Sequence, residues 1–183
     1  MTKSNIGLIG LGTMGAMLAL NIAEKGFGIS VFNRTTATMK TFFDNAGELA
    51  AKITPCETLE ALITTIEKPR AIILMVPAGA AVNEQIAALR LLLDADDMII
   101  DAGNANFNDT NRRASEAAAA GVPFLGIGVS GGEEGARHGP SIMGGGPEDS
   151  WNRVAHILTA ISAKYDGVPL RDLDGCRWCR PLC

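Results

Sequence analysis

The stretch IGLIGLGTMG (Ile6–Gly15) constrains the fold of this chain most strongly. It joins a short apolar run, a glycine-rich turn and the start of a helical pattern. Gly10, Gly12 and Gly15 have the G-x-G-x-x-G spacing, which allows a tight turn, the approach of a pyrophosphate to the backbone, and close packing of helix on strand. The stretch therefore predicts a strand–turn–helix unit that binds a dinucleotide at the helix N-terminus. A glycine turn that serves packing alone is the alternative.

Similar apolar runs alternate with helical patterns along most of the chain. Strands are predicted at residues 5–10, 28–33, 71–77, 97–104 and 123–130, and helices at 13–26, 36–52, 79–93, 109–121 and 149–165. The segment 36–52 is expected to end in a loop, and Asp109 and Asp149 or Ser150 are expected to cap the last two helices. This alternation predicts the α/β class, with a Rossmann-type doubly wound, mainly parallel sheet that carries helices on both faces.

Composition argues against several classes of protein. The 183 residues have a formal net charge of -4, without the clustered Lys and Arg that nucleic acid binding requires. No apolar run reaches the ~20 residues of a membrane helix, and the start lacks the layout of a signal peptide, so we expect a cytoplasmic protein without membrane contact. Cys176, Cys179 and Cys183 lie near the end with no fourth ligand for zinc, so no metal is expected.

The end of the second predicted strand indicates which dinucleotide binds. Asn33, Arg34 and Thr35 follow this strand, and no carboxylate is present there. A site for NAD places Asp or Glu at this point to accept from the ribose 2′-hydroxyl, whereas an arginine pairs with a 2′-phosphate. The sequence therefore predicts NADP as the cofactor. The alternative is that Arg34 is an ordinary solvated side chain.

Three later segments are expected at the same edge of the sheet. MVPAG (75–79) and DAGN (101–104) close strands, and the glycine-dense stretch GVSGGEEGARHGPSIMGGG (128–146) is expected to be a loop. Asn104 supplies an amide that donates and accepts, and residues 130–132 supply a hydroxyl and exposed N–H groups for a carboxylate or polyol. Because the carboxyl ends of parallel strands share one edge, these segments predict a single crevice. For DAGN, an ordinary turn is the alternative.

The motifs GLIGLGTMG, VFNRT, DAGNANFNDTNRR and GVSGGEEGARHGPSIMGGG together resemble the N-terminal cofactor domain of the decarboxylating 6-phosphogluconate dehydrogenases, over about residues 6–169. The first motif is shared with other β-hydroxyacid dehydrogenases, including 3-hydroxyisobutyrate dehydrogenase. The cofactor-binding residues implied by the resemblance are Gly10, Leu11, Gly12, Thr13, Met14, Gly15, Asn33, Arg34, Thr35, Val76, Pro77, Ala78 and Asn104. The implied residues for the substrate, 6-phosphogluconate, are Asn104, Ser130, Gly131 and Gly132.

The resemblance implies oxidative decarboxylation of 6-phosphogluconate to ribulose 5-phosphate in the pentose phosphate pathway, by a homodimer. The family's catalytic lysine and glutamate follow the last matching motif, so no catalytic residue is expected here. Lys164 is expected in the closing helix and does not match the motif. We therefore expect a fragment that lacks the family's all-helical domain and is inactive alone. The alternatives are another β-hydroxyacid dehydrogenase, such as 3-hydroxyisobutyrate dehydrogenase, and a non-catalytic cofactor-binding pseudo-enzyme.

Two features depart from the family pattern. Pro77 stands where many relatives carry lysine, and it removes a backbone hydrogen-bond donor. The other feature is the end of the chain. We expect an NADP-binding Rossmann domain at 1–168 and an aberrant tail at 169–183. Codons for 175–182 read one base out of register permit GAGGAGHY, the family's next motif. The hypothesis is a frameshift between about residues 168 and 170, and codons incompatible with the displaced reading would exclude it.

Overall fold

Short buried strands form the centre of the protein, which we describe from a computed structural model at residues 3–104, 106–166, 168–169 and 171–172. The strands are β1 (Ile6–Ile9), β2 (Ile29–Phe32), β3 (Ile53–Cys56), β4 (Ala71–Leu74), β5 (Met98–Asp101), β6 (Phe124–Ser130), β7 (Ser141–Gly145), β8 (Lys164–Tyr165), β9 (Val168–Pro169) and β10 (Arg171–Asp172). The helices are α1 (Thr13–Glu24), α2 (Thr36–Asp44), α3 (Leu59–Thr65), α4 (Ala80–Arg90), α5 (Phe107–Ala119), α6 (Gly132–His138) and α7 (Glu148–Ile161).

Eight of these strands form one sheet in the order β10-β7-β6-β5-β4-β1-β2-β3. The strands β1 to β6 are parallel, and β7 runs antiparallel to β6 at one side. The strands β8 and β9 pair in a separate hairpin. A parallel sheet between two helical layers has no solvated face, which explains why the two central strands β1 and β4 contain no polar side chain. The predicted Rossmann-type doubly wound, mainly parallel sheet is confirmed.

Helices cover both faces of the sheet and create two apolar cores. Successive strand residues point to opposite faces. Leu8 therefore packs in one core with Ile22 of α1 and Ile157 of α7, while its neighbour Ile9 packs in the other core with Val82 of α4. Burial of each such aliphatic side chain contributes about 1.5–3 kcal/mol of transfer free energy. Packing in the two cores therefore fixes the positions of the strands and of the turns at their carboxyl ends.

The strand order reverses at β1. The chain passes from β1 to β2 and β3 on one side, and then to β4, β5 and β6 on the other. In open α/β sheets, ligands bind outside the carboxyl ends of the strands at such a reversal. The crevice beside the carboxyl ends of β1 and β4 is therefore the place where a ligand site is expected.

The strand β3 and the helix α3 were not predicted from the sequence. β3 lies at the sheet edge and contains Pro55, which breaks a strand pattern but is tolerated at an edge. α3 is short, yet it has a local signal: the Thr58 hydroxyl accepts a hydrogen bond from the Ala61 N–H at 3.1 Å, as an N-cap does. Residues Gly47–Lys52 form a 3-10 helix, where a loop was expected.

Both predicted helix caps are wrong. The helix α5 begins two residues before Asp109, because the side-chain oxygen of Asn106 accepts from the N–H two residues further on, at 3.0 Å. The helix α7 begins directly after Pro147, so Asp149 and Ser150 lie inside its first turn. Proline suits this position because its fixed φ introduces a helix and its missing N–H is not needed there.

The end of α7 also differs from the prediction of a helix over 149–165. The backbone N–H of Ala163 donates to the carbonyl of Pro140 at 2.9 Å, which draws the chain away from the helical path. The helix ends at Ile161, and Lys164 lies in β8 instead of in the closing helix. A tertiary hydrogen bond of this kind has no counterpart in the local sequence pattern.

The glycine-dense stretch 128–146 is not the loop that was expected. It contains the end of β6, all of α6 and the antiparallel strand β7, which pairs with β6 from Gly126 to Ser130. Gly131 and Gly139, with φ of 118° and 150°, form the turns on either side of α6. The glycines therefore build two tight turns between regular elements.

None of the helices in the described residues is long and apolar enough to cross a membrane. The predicted tail at 169–183 lies outside the described residues apart from 169, 171 and 172. The three cysteines near the end of the chain lie outside them as well.

Candidate functional site

The glycine turn after β1 has two crowded positions and one open position. A Cβ at Gly10, where φ is 102°, would run into the carbonyl of Met75, and a Cβ at Gly15 would overlap the carbonyl of Gly10. A Cβ at Gly12 would meet no atom within 4 Å. Packing therefore requires the first and third glycines, while the second borders open space that a ligand can enter.

The N-terminus of α1 faces this space with backbone N–H donors that have no hydrogen-bond partner among the described residues. The first bond of the helix runs from the Ala16 N–H to the Gly12 carbonyl at 2.9 Å, so the N–H groups of Thr13, Met14 and Gly15 have no partner within the helix. No side chain caps this end and no acid lies in the first turn. With the helix dipole, this arrangement attracts an anion such as a pyrophosphate.

The residues after β2 form the second part of the site. The side chain of Asn33 accepts from the Leu11 N–H at 2.9 Å and donates to the Thr35 carbonyl at 3.1 Å. Arg34 is exposed, and no ion pair within the described residues includes it. Thr35 precedes α2, whose first turn has neither a side-chain cap bond nor an acid. This end of β2 therefore presents a cation and an uncapped helix start.

The segments after β4 and β5 contact each other beside the glycine turn. Pro77 and Ala78 are exposed and Val76 is half-buried. A Cβ at Gly103 would lie 2.7 Å from the carbonyl of Val76, which shows how closely the two segments approach. Asn104 follows with φ of 55° and is exposed. This left-handed conformation is uncommon for a residue other than glycine but is tolerated by asparagine.

The predicted substrate segment 130–132 lies at the same edge but further out. Asp101 at the end of β5 is in register with Gly126 of β6, and β6 continues four residues to Ser130. At the usual rise per residue, Ser130 stands about 13 Å further along the strand direction. Residues 130–132 are exposed there. The structure therefore places all predicted site residues along one edge, with this segment forming its outer wall.

Two side-chain contacts fasten α6, which begins at the last residue of the predicted substrate segment, to α1. The buried Asn21 donates through Nδ2 to the carbonyls of Ala136 and Ile161, both at 3.1 Å. Arg137 forms an ion pair with Glu24, with Nη1 and Oε2 2.7 Å apart. The hydrogen-bonded guanidinium lowers the pKa of the Glu24 carboxyl. The helix that begins at the glycine turn therefore also supports the segment that is predicted to bind substrate.

A buried ion pair beneath the crevice was not predicted from the sequence. Arg113 and Asp101 are 2% and 1% exposed, with Nη1 and Oδ2 3.1 Å apart. Arg113 also donates through Nε to Asn83 Oδ1 at 2.9 Å and through Nη2 to the Gly79 carbonyl at 3.2 Å. The other oxygen of Asp101 accepts from the Gly103 N–H at 3.0 Å. One guanidinium thus joins α5 to the end of β5 and to the start of α4.

The helix period accounts for the burial of Arg113 once the burial of Ala117 is known from the structure. Arg113 lies four residues before Ala117, so the two share one face of α5. Ala117 is buried, which makes Arg113 a charged residue on the buried stripe of the helix. Such residues are almost never fully buried unless they are paired, so the position called for a buried acid.

A cavity of about 620 Å³ lies at the opposite edge of the sheet. Its rim includes the buried Asp97, which accepts from Arg70 Nη1 at 2.7 Å, and Asp94, which pairs with both Arg70 and Lys68. Asp97 also accepts from the backbone N–H of Arg70 and of Asp94. These charges satisfy one another and close the amino ends of β4 and β5. The cavity therefore lies at the edge opposite the crevice, and the paired charges in its lining are structural contacts.

Comparison with known proteins places the chain in a family. The family model that matches, over residues 5–169, is described as the NAD binding domain of 6-phosphogluconate dehydrogenase. The decarboxylating 6-phosphogluconate dehydrogenase of Haemophilus ducreyi is 50% identical over 177 residues, which are 96% of this chain and 35% of that protein. The chain thus spans about a third of the length of the curated relatives it matches.

Solved structures agree with this match. The structure of Plasmodium falciparum 6-phosphogluconate dehydrogenase, determined in its apo form, with its cofactor NADP+ and with its substrate 6-phosphogluconate, superposes with a TM-score of 0.87 at 40% identity. The match covers 92% of this chain and 36% of that one. Mycobacterium tuberculosis 3-hydroxyisobutyrate dehydrogenase shares the fold at 21% identity, with a TM-score of 0.74 over 92% of this chain and 54% of its own. The chain belongs to the family of NAD-binding domains of 6-phosphogluconate dehydrogenase.

Proposed function

We propose that the chain is the NADP-binding domain of a decarboxylating 6-phosphogluconate dehydrogenase. The observation that carries this proposal is the end of β2, where Arg34 is exposed beside the uncapped start of α2 and no carboxylate stands where a site for NAD requires one. Charge-assisted hydrogen bonds of a guanidinium to a 2′-phosphate are worth about 1.5–3 kcal/mol each.

The remaining crevice residues fit the rest of the cofactor. The free N–H groups of residues 13–15 would hold the pyrophosphate, which the open position at Gly12 lets close to the backbone. The residues 76–78 and Asn104 would border the nicotinamide, which accepts a hydride when NADP is bound. The backbone N–H of Leu11 already donates to the side chain of Asn33. Leu11 would therefore shape the turn beside the cofactor without donating a hydrogen bond to it.

We further propose that Asn104 and residues 130–132 bind 6-phosphogluconate, through the amide, the hydroxyl and the backbone N–H groups that they expose. Oxidation and decarboxylation need a general base and a later acid. No lysine or glutamate of the 183 residues matches the family's catalytic motif, so these residues bind ligands without turnover by themselves.

The family match ends at residue 169, which supports a domain over 1–168. We also propose that the complete enzyme is a homodimer and that it is located in the cytoplasm.

Calorimetry with NADP and NAD on the 183-residue chain tests the cofactor. We expect NADP to bind at least about tenfold more tightly, in line with one charge-assisted contact. Equal or tighter binding of NAD would refute the assignment.

The substrate is tested by protection of the NADP-loaded chain against thermal unfolding. We expect 6-phosphogluconate to protect it and 3-hydroxyisobutyrate not to, and the reverse would favour the other β-hydroxyacid dehydrogenases. Appreciable formation of NADPH from 6-phosphogluconate by the 183 residues alone would contradict the proposed lack of turnover.

A further inference from the structure

We propose that Arg113, acting with Asp101, is a positioning residue for the nicotinamide half of the bound cofactor. The inference rests on the proposed binding of NADP and deepens it. Neither side chain reaches the crevice, since they are 2% and 1% exposed, so they act through the two segments that they hold.

The first of these segments is the turn after β5. Asp101 accepts from the Gly103 N–H through Oδ1 and from Arg113 through Oδ2, so the ion pair fixes the carboxylate that shapes this turn. The next residue, Asn104, is held at a φ of 55°. The direction in which the Asn104 amide leaves the sheet therefore depends on the orientation of Asp101.

The second segment is the chain between β4 and α4. Arg113 donates to the carbonyl of Gly79, the residue that precedes α4, and to the side chain of Asn83 in its first turn. The residues 76–78 come immediately before this anchor. Arg113 thus sets the distance between this segment and the turn after β5, which already contact each other at Val76 and Gly103.

The adenosine half of the crevice is held by other contacts. Its segments, the glycine turn and the end of β2, are joined to each other by the hydrogen bond from Leu11 to Asn33, and no hydrogen bond of Arg113 in the described residues reaches either segment. Loss of the Arg113 contacts is therefore expected to displace one half of the site and to leave the other in place.

The test compares two ligands on Arg113→Lys, which keeps the charge opposite Asp101 but lacks the planar fork that reaches three acceptors. NADPH carries both halves of the cofactor, whereas adenosine 2′,5′-bisphosphate carries only the adenosine half. By calorimetry, we expect the variant to bind NADPH about tenfold more weakly, equivalent to ~1.4 kcal/mol, and to bind the bisphosphate as the wild type does. The matched control is Arg112→Lys, the exposed neighbour whose partners are Asp109 and Glu116 on the same helix.

Equal weakening of both ligands would show that Arg113 only stabilises the fold, and it would overturn the inference, as would an unchanged NADPH affinity. Should Arg113→Lys fail to fold, Asn83→Ala replaces it: this exposed residue loses one contact to Arg113 while the ion pair stays intact. Its ratio of NADPH to bisphosphate affinity is expected to fall, and an unchanged ratio would overturn the inference. A wild-type chain that binds neither ligand would refute the proposed function itself.

Discussion

The side-chain oxygen of Asn33 accepts a hydrogen bond from the Leu11 backbone N–H at 2.9 Å. The same amide donates to the Thr35 carbonyl at 3.1 Å. One half-buried side chain thereby ties the glycine turn after β1 to the turn after β2. This bridge helps to fix the relative position of the two turns at which we propose that the pyrophosphate and the adenosine bind.

Replacing Asn33 by alanine removes both bonds of the bridge. We expect NADP and NAD to weaken by a similar factor, because the position of the glycine turn serves both dinucleotides. The free energy of unfolding should fall by about 1–2 kcal/mol, because each of the two hydrogen bonds has a usual net value near 1 kcal/mol. Calorimetry and urea unfolding measure the two effects. A loss confined to NADP would contradict this role of Asn33.

Arg34→Ala is expected to act on NADP alone. Loss of a charge-assisted contact to the 2′-phosphate should weaken NADP by about 10- to 100-fold, while NAD, which lacks that phosphate, should bind as before. Arg90→Ala is the matched control, since Arg90 is also exposed but lies at the end of α4. If both variants lowered NADP affinity equally, general electrostatic attraction would explain the effect better than a specific contact.

Gly12→Ala and Gly15→Ala should separate binding from stability. Gly12 has a φ of -68°, which alanine adopts freely, and open space beside it, so the variant should fold as the wild type does. Its methyl group would occupy the space proposed for the pyrophosphate, so NADP binding should be lost. At Gly15 the methyl group would overlap the Gly10 carbonyl, and we expect a loss of about 1–3 kcal/mol of stability. Thermal unfolding and calorimetry distinguish the two, and normal NADP binding by Gly12→Ala would exclude the proposed position.

The ion pair of Glu24 with Arg137 predicts a pH dependence. The hydrogen bond from Arg137 lowers the pKa of Glu24 in the folded protein. A lowered folded-state pKa contributes stability above the unfolded-state pKa, and this contribution is lost as the pH falls through the folded-state value. Because the Glu24 side chain is 44% exposed and screened by solvent, the contribution should be below about 1 kcal/mol.

The variant Arg137→Gln tests this dependence. It should unfold more easily than the wild type at neutral pH, and the difference should vanish in acid once Glu24 is protonated in both proteins. Urea unfolding at several pH values measures it. A difference that stayed constant between neutral and acidic pH would show that packing, and not charge, links Arg137 to α1.

Much of the crevice could be predicted because its signals are local. The glycine spacing after β1 and the absence of an acid after β2 can each be read within a few residues. β1 is also the strand at which the strand order reverses. The pairing of Arg113 with Asp101 could not be read this way, since its further partners Asn83 and Gly79 lie 30 and 34 residues away in sequence. Likewise, the hydrogen bond to Pro140 that accompanies the early end of α7 cannot be read from the local sequence.

The attachment of α6 to α1 through Asn21 links the two ligand sites that we propose. Because the same helix starts at the glycine turn and supports residues 130–132, any tilt of α1 moves both. A dinucleotide that restricts the motion of α1 would therefore also restrict the motion of residues 130–132. The proposed substrate, 6-phosphogluconate, would then bind to a segment whose position the bound dinucleotide has already fixed.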